Sequence, residues 1–482
     1  MQKKSFYITT TLPYVNAEPH IGFAMEIIRA DIVARWKKLQ GFDVFFNTGT
    51  DEHGQKIADA AKAAGISTKK YIDEYSKKFR ELKSLLGLSD DIHFIRTTDP
   101  HHEKAAQEFW RRVDKAGYIY RKNYKTKYCV GCELEKTDSE LVDGKCPIHP
   151  NLKLEIIEEE NYFFKFSEFC DKLIKLYDGK TFKVVPDFRL NEMREFVKRG
   201  LEDFSISRLK SKMSWGIPVP EDENQVMYVW FDALVNYISA LGWPKDEKNF
   251  KKFWQDGTPT QYCGKDNTRF QAAMWQAMLM AAGLPPTATV VVDGFITGEG
   301  GVKMSKSLGN TISPVEIVRE YGTEALRYFL AREVSSFEDS PFTMERFKAA
   351  YNSGLANGLG NLVSRIMKMA TSYGVLFNKN LVVETGFHAR YKTQIQNYDL
   401  TQAMGIIFEL ISLTDSLIQQ KEPFKKIKIN KTEAEQDVST LLHNLYTIAD
   451  MLEPFMPETS ATIKNLVKEN KMPDKPLFAR KE

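Results

Sequence analysis

The period of the apolar positions changes repeatedly along the chain. Residues 5–12 (SFYITTTL) form a run of β-branched and aromatic side chains, the pattern of a buried strand, whereas Met25, Ile28, Ile32, Trp36 and Leu39 recur at helical spacing as far as Gly41. A strand therefore feeds a helix. The alternation continues with a strand over 42–48 and a helix over 55–64, and returns at 227–237, at the strand end 261–266 and at the strand 290–295. Strands alternating with helices predict an α/β fold with an open sheet. Between Gly117 and Glu221 the pattern breaks, which predicts an insertion between the two halves of that fold. Beyond Asn310 only helical periods remain, over 314–320, 323–333, 343–372 and several more after Asn397, joined by short loops as in a helix bundle. The pattern divides the chain into 1–116, 117–221, 222–345 and 346–482.

Candidate chemistry sits where these elements meet. Between the first strand and its helix, Pro19 ends the loop, Gly22 lets a ligand approach backbone, and His20 lies at the helix's positive end, a geometry suited to phosphate. At the end of the second strand, Gly49-Thr50-Asp51-Glu52-His53-Gly54 places polar side chains where an open α/β sheet has its ligand crevice. Asp51 there either faces a cationic group or, like Thr50, caps the next helix. After the last strand a Gly-rich loop, 297–302, runs into Lys303-Met304-Ser305-Lys306-Ser307, which can grip a polyphosphate, although such a loop on its own is ordinarily solvated surface. Within the insertion, Cys129-x-x-Cys132 and Cys146-x-x-His149 are separated by thirteen residues, a spacing that lets two knuckles converge on one zinc ion with all four positions filled by protein.

Composition narrows the picture less. A chain of 482 residues suggests about three domains, and a net charge of +3 leaves any RNA contact to local basic patches. The five cysteines do not form an even disulfide framework, and the longest apolar helix, 272–283, contains Gln276. A cytoplasmic protein with no membrane partner is expected.

The two loop motifs, Pro19-His20-Ile21-Gly22 and Lys303-Met304-Ser305-Lys306-Ser307, together resemble the paired signatures of class I aminoacyl-tRNA synthetases, and segments through most of the chain resemble the methionyl-tRNA synthetase family in detail. The resemblance implies a Rossmann-type nucleotide-binding catalytic domain split by a zinc-bearing insertion and followed by an all-α anticodon-binding bundle. It implies a ligase that activates L-methionine with ATP, Mg2+ accompanying the nucleotide, and passes it to tRNA(Met). His20, Lys303 and Lys306 would then be catalytic, and Gly22, Arg208, Gly264, Ser305 and the two lysines would hold ATP. Methionine would lie among Leu12, Tyr14, Asp51, Trp230, Ala233, Tyr237, Asp266, Phe270 and Gln271, with Asp51 on the amino group and Arg208 on the carboxylate. Asn361, Arg365 and Phe424 would read the anticodon, backed by Lys425, Lys426 and Lys428 on phosphates.

Three positions depart from the family pattern: Gln271 stands for a histidine near the substrate sulfur, Phe23 for the second histidine of the first signature, and Phe424 for a tryptophan. Phe23→His is accordingly expected to be tolerated. No appended tRNA-binding module is expected, which favours a monomer. The rival readings are another class I synthetase, or an RNA-binding paralogue with weak catalysis, separable by amino-acid-dependent ATP–pyrophosphate exchange.

Overall fold

The first strand is buried on both faces, which is why its apolar run does not alternate. In β1 (Ser5–Thr9), Phe6 and Ile8 enter one hydrophobic core and Tyr7 the other. The protein is represented by a computed structural model that describes residues 3–16, 18–132, 134–136, 140–302, 304, 312–378 and 386–482. After β1 come α1 (Ile21–Leu39), β2 (Asp43–Thr50), α2 (Gln55–Ala63), α3 (Thr68–Leu85), β3 (His93–Arg96) and α4 (Pro100–Lys115). Here α1 buries polar residues as well as apolar ones, among them Glu26, Arg29 and Asp31, because it is enclosed between the sheet and later helices.

The stretch that follows is mostly antiparallel. It comprises β4 (Ile119–Cys129), β5 (Leu134–Lys136), β6 (Glu155–Phe164), α5 (Cys170–Asp178), β7 (Lys183–Val185), α6 (Asp187–Lys198), β8 (Phe204–Ser205), β9 (Ser207–Leu209), β10 (Pro218–Val219) and β11 (Asp222–Met227). Strands β5, β4, β6 and β8 make one sheet and β10, β11 and β9 another, while β7 joins the main sheet at its edge. The α/β pattern resumes with α7 (Val229–Leu234), α8 (Asn236–Ser239), α9 (Glu247–Phe250), β12 (Thr258–Gly264), a π-helical turn Phe270–Met274 into α10 (Trp275–Ala281), β13 (Thr289–Asp293) and β14 (Ile296–Thr297). Then α11 (Pro314–Tyr321) and α12 (Thr323–Arg332) lead to β15 (Ser340–Pro341), which pairs with β14.

The main sheet is parallel throughout, in the order β3-β2-β1-β12-β13-β7. Connections leave β1 in opposite directions on its two sides, so a crevice opens outside the carboxyl ends of β1 and β12, the topological switch point at which open α/β sheets take ligands.

The remainder is helical: α13 (Met344–Ala350), α14 (Asn361–Tyr373), α15 (Phe387–Gln396), α16 (Leu400–Lys421), α17 (Pro423–Lys426), α18 (Lys431–Leu452) and α19 (Pro457–Glu469). The single helix expected over 343–372 is interrupted by a π-helical run, Tyr351–Gly360. Gly354 within it lets the Tyr328 hydroxyl approach to where a Cβ would stand, at 2.0 Å. The run Leu400–Lys426 is long and apolar enough to cross a membrane by composition, but half of its apolar window is buried inside the protein, as in the core helix of a bundle. Two buried arginines join α1 to α12 and the segment that follows it. Arg29 of α1 donates to the carbonyls of Leu330, Val334, Ser335 and Ser336, and Arg327 of α12 pairs with Asp31 at 2.8 Å.

Candidate active site and metal centre

The loop after β1 ends in a built helix start. His20 occupies the N-cap of α1 and its Nδ1 accepts the Gly22 N–H at 3.1 Å, with the ring exposed at the helix's positive end. A Cβ on Gly22 would stand 3.0 Å from His20 Cε1, so glycine leaves the ring its place. Opposite it, Val15 N–H donates to the Asp51 carbonyl at 3.3 Å and Asp51 N–H to the Pro13 carbonyl at 3.0 Å, which carries β1–β2 pairing out to the crevice. Asp51 is buried, and Thr97 Oγ1 donates to its Oδ1 at 3.4 Å. Neither Asp51 nor Thr50 caps α2: Gly54 holds that position, and no side chain caps it.

The aromatic side chains of the resemblance converge here. Tyr14 meets Trp230 edge-on at 6.4 Å, and Trp230 stacks on Phe270 with centroids 3.9 Å apart and planes 12° from parallel. Ala233 lies buried on the same helix as Trp230, and Leu12 is half-buried on the loop. Gln271 is buried and largely committed to the protein: its Oε1 accepts from Gln261 Nε2 at 2.8 Å, and its Nε2 donates to the Tyr237 hydroxyl at 2.5 Å. At the end of β12, a Cβ on Gly264 would stand 2.9 Å from Asp266 Oδ1, so the glycine admits the folded-back carboxylate. Arg208 is clamped between the rings of Tyr128 and Tyr228, at 5.3 and 4.4 Å, and donates to Ser205 Oγ and the Ser207 carbonyl. Lys303, Ser305 and Lys306 lie outside the described residues; just before them the Gly298 N–H closes a turn on the Val302 carbonyl at 2.7 Å.

Phe23 is not a vacant phosphate position. It is buried and packs edge-on against Phe79 of α3 at 5.3 Å, so the tolerance expected of Phe23→His gives way to the burial of an imidazole in an apolar contact.

Two further features of the crevice were not singled out from the sequence. Glu26 accepts from Thr11 N–H and Thr11 Oγ1, both at 2.6 Å, and burial pushes its carboxyl up to about 8 despite those bonds. His53, in the same Gly-Thr-Asp-Glu-His-Gly stretch as Asp51, lies 3.2 Å from Asp232 of α7, both buried. Burial, the largest single influence, would lower the imidazole's proton affinity, but the charge and hydrogen bond of Asp232, with the charges of Glu103 and Glu52, together outweigh it and raise it. The pair ties the strand end carrying Asp51 to the helix carrying Trp230. Its only sequence signal is a histidine two residues after Asp51.

The insertion brings four ligand atoms together. Tight turns put the Cys132 N–H on the Cys129 carbonyl at 3.1 Å and the His149 N–H on the Cys146 carbonyl at 3.2 Å. Cys132 Sγ stands 3.4 Å from Cys146 Sγ and 3.2 Å from His149 Nδ1, Cys129 Sγ stands 3.8 Å from that nitrogen, and the four atoms lie within 4.8 Å of one another. Four ligand atoms that close together could hold one metal ion. A Cβ on Gly131 would stand 2.5 Å from His149 Cγ, so glycine is what admits the imidazole. The knuckle leans on the crevice: Lys56 Nζ donates to the Gly131 carbonyl at 2.7 Å, and Tyr128 and Val130 share an apolar cluster with Tyr14 and Trp230.

On the bundle, Asn361 opens α14 and is exposed; Arg365, one turn on, is paired with Asp415 of α16. Phe424 on α17 is 41% exposed. Lys425 pairs with Glu422 at 2.6 Å, and Lys426 with Glu433 and Asp437 at 2.6 and 2.7 Å.

Known proteins share this arrangement of chain. The family model described as tRNA synthetases class I (M) matches residues 6–153 and 151–367. The methionine–tRNA ligase of Thermotoga maritima is 39% identical over 98% of this chain and 76% of its own length, and that of Nostoc sp. 39% over 96% and 89%. The solved structure of Mycobacterium tuberculosis methionyl-tRNA synthetase in complex with methionyl-adenylate is similar with a TM-score of 0.90 and 34% identity, covering 99% of this chain and 100% of that one. A crevice at the β1/β12 switch point, its helix-start histidine and matches along nearly the whole chain agree: the chain belongs to the class I tRNA synthetases, in their methionyl family.

Proposed function

We propose that this chain activates methionine with ATP and transfers it to methionine tRNA. The methionine carboxylate attacks the α-phosphate in line, pyrophosphate leaves, and the terminal ribose of the tRNA then takes the aminoacyl group from the adenylate. Such chemistry needs positioned charge rather than a covalent nucleophile. His20 and the amides of α1 meet the phosphates at the crevice mouth, Lys303 and Lys306 neutralise the departing pyrophosphate with Ser305 beside them, and Mg2+ accompanies the nucleotide. Gly22 and Gly264 let the nucleotide approach backbone, and Asp266 orients the methionine pocket.

Asp51 holds the methionine ammonium and Arg208 its carboxylate. Leu12, Tyr14, Trp230, Ala233, Tyr237 and Phe270 enclose the side chain, a soft thioether among aromatic rings. Cys129, Cys132, Cys146 and His149 hold one structural zinc, a donor set of three sulfurs and an imidazole that suits that ion. The bundle from residue 346 onward reads the anticodon through Asn361, Arg365 and Phe424. Five cysteines with no disulfide among them support a reducing, cytoplasmic setting.

The observation that carries this reading is the convergence of the His20 helix start, Asp51 and the Tyr14–Trp230–Phe270 wall on one switch point of the sheet. Pyrophosphate exchange measured with each of the twenty amino acids tests it. Exchange with methionine well above all others is expected; exchange driven by another amino acid, or by none, overturns it.

A further inference from the structure

A single carboxylate ties the end of β12 to the base of the segment that leads into Lys303 and Lys306. Asp339 directly precedes β15, and its two oxygens are used in different directions. Oδ2 accepts from Lys265 Nζ at 2.7 Å, just past the end of β12, and Oδ1 accepts from the Phe295 backbone N–H at 2.9 Å, one residue before β14. Lys265 Nζ also lies 4.4 Å from the centre of the Phe295 ring, so cation, carboxylate and ring close on one another. The backbone around them is shaped to bring the carboxylate there. A Cβ on Gly294 would stand 2.3 Å from the Glu338 carbonyl carbon, so glycine at 294 is what admits the 338–339 turn. Ser340 N–H then donates to the Phe295 carbonyl at 2.9 Å and Phe342 N–H to the Thr297 carbonyl at 2.8 Å, which pairs β15 with β14. A lone ion pair whose partners are 28% and 41% exposed would hold little. Here the second oxygen is anchored on backbone, so the carboxylate is fixed and the lysine with it.

We propose that Asp339 is a positioning residue for adenylation: by holding Lys265 and the Phe295 amide at once, it fixes the start of β14 against the strand end that carries Gly264 and Asp266. Beyond β14 the chain runs through residues 298–302 to Lys303 and Lys306, so the placement of those lysines relative to the nucleotide starts from this tie. The inference deepens the function proposed above and rests on it. Asp339 acts through the two segments it joins and not on the substrate. Charge that must meet a departing pyrophosphate works only in the right place, and a misplacement of about 1 Å can cost on the order of a hundredfold in rate.

The test grades the loss of the tie. Asp339→Ala removes both bonds, whereas Asp339→Asn keeps an oxygen for the Phe295 amide and loses the charge that holds Lys265. In pyrophosphate exchange Asp339→Ala should lower kcat by about ten- to a hundredfold and Asp339→Asn by less, with the KM for methionine unmoved in both. Lys265→Met should match Asp339→Asn, and the double variant should lose no more than the worse single one, because the two side chains act together. Amide hydrogen exchange over residues 295–302, measured without substrates, should be faster in Asp339→Ala than in the unaltered protein. A merely structural role would lower the denaturation midpoint and leave the kcat of the folded protein alone. That result, additive losses in the double variant, a methionine KM that rises as kcat falls, or unchanged hydrogen exchange overturns the proposal. Should Asp339→Ala fail to fold, Asp339→Asn, Lys265→Met and their combination decide by the same criteria. Absence of methionine-dependent exchange in the unaltered protein would instead strike at the functional reading beneath, and hydrogen exchange would still decide whether Asp339 holds the start of β14.

Discussion

The crevice and the exposed end of the bundle both depend on charged and planar polar side chains, but they hold them differently. In and behind the crevice such groups are buried and multiply bonded: Arg29 donates to Asp293 and four carbonyls, Arg327 to Asp31 and the carbonyls of Phe455, Pro454 and Leu86, and Asp31 also accepts from Ser89. On the bundle face, Arg365, Lys425 and Lys426 are held by carboxylates beside water, and Phe424 stands half in solvent. Ties of this kind hold the frame around the site in one arrangement, because breaking one leaves a buried charge without a partner. Groups proposed to exchange a protein carboxylate for a base or a phosphate gain from being able to let go, because an exposed ion pair is worth little.

The largest effect expected to separate the two regions is on stability. Asp31→Ala leaves Arg327 charged and buried without its carboxylate and should cost about 3–5 kcal/mol in chemical denaturation, whereas Asp415→Ala on the bundle should cost less than about 1 kcal/mol. Equal losses would erase the distinction.

Next comes a rate. Lys306→Ala should slow adenylation by on the order of tenfold to a thousandfold, about 1.4–4 kcal/mol, with methionine binding little changed. Unchanged pyrophosphate exchange would remove Lys306 from the mechanism.

On the bundle, Arg365→Ala should depress charging of methionine tRNA and narrow the gap to an anticodon-altered tRNA by roughly 1–3 kcal/mol, leaving pyrophosphate exchange untouched. Lys425→Ala should weaken all tRNAs alike and flatten the salt dependence. If Arg365→Ala impairs adenylation and charging equally, Arg365 is an inter-helix tie to Asp415 and no more.

The smallest effect is a slope with pH. The folded protein binds the Glu26 proton more tightly than the unfolded chain does, its carboxyl being pushed from 4.5 up to about 8, mainly by burial. The associated stability is fully present below about 4.5 and is lost as the pH rises through about 8. Glu26→Gln should make the decline in denaturation midpoint across that window shallower; an unchanged slope would mean that Glu26 ionises freely in the fold.

What could be read from the sequence was local. The alternation of periods marked the α/β halves and the bundle, because a strand or helix carries its own repeat. The metal knuckles were legible because two tight turns bring each pair of ligands together within four residues, and His20-Ile21-Gly22 because a helix start is built from consecutive residues. Thr50 and Asp51 show the limit of this: as text they could equally cap α2, and only their placement at the crevice, with Gly54 at the cap, removed the choice. Partnerships across the fold had no local trace. Phe23 reads as a missing histidine until Phe79 of another helix is seen against it, and Arg365 as a free base reader until Asp415, 50 positions on, is found beside it. The same holds for Asp339, whose partners Lys265 and Phe295 lie 74 and 44 positions away. Periodicity and turn chemistry act between neighbours in the chain and so survive in the text, whereas a bond between distant residues depends on which groups the folded sheet and helices bring within reach of one another.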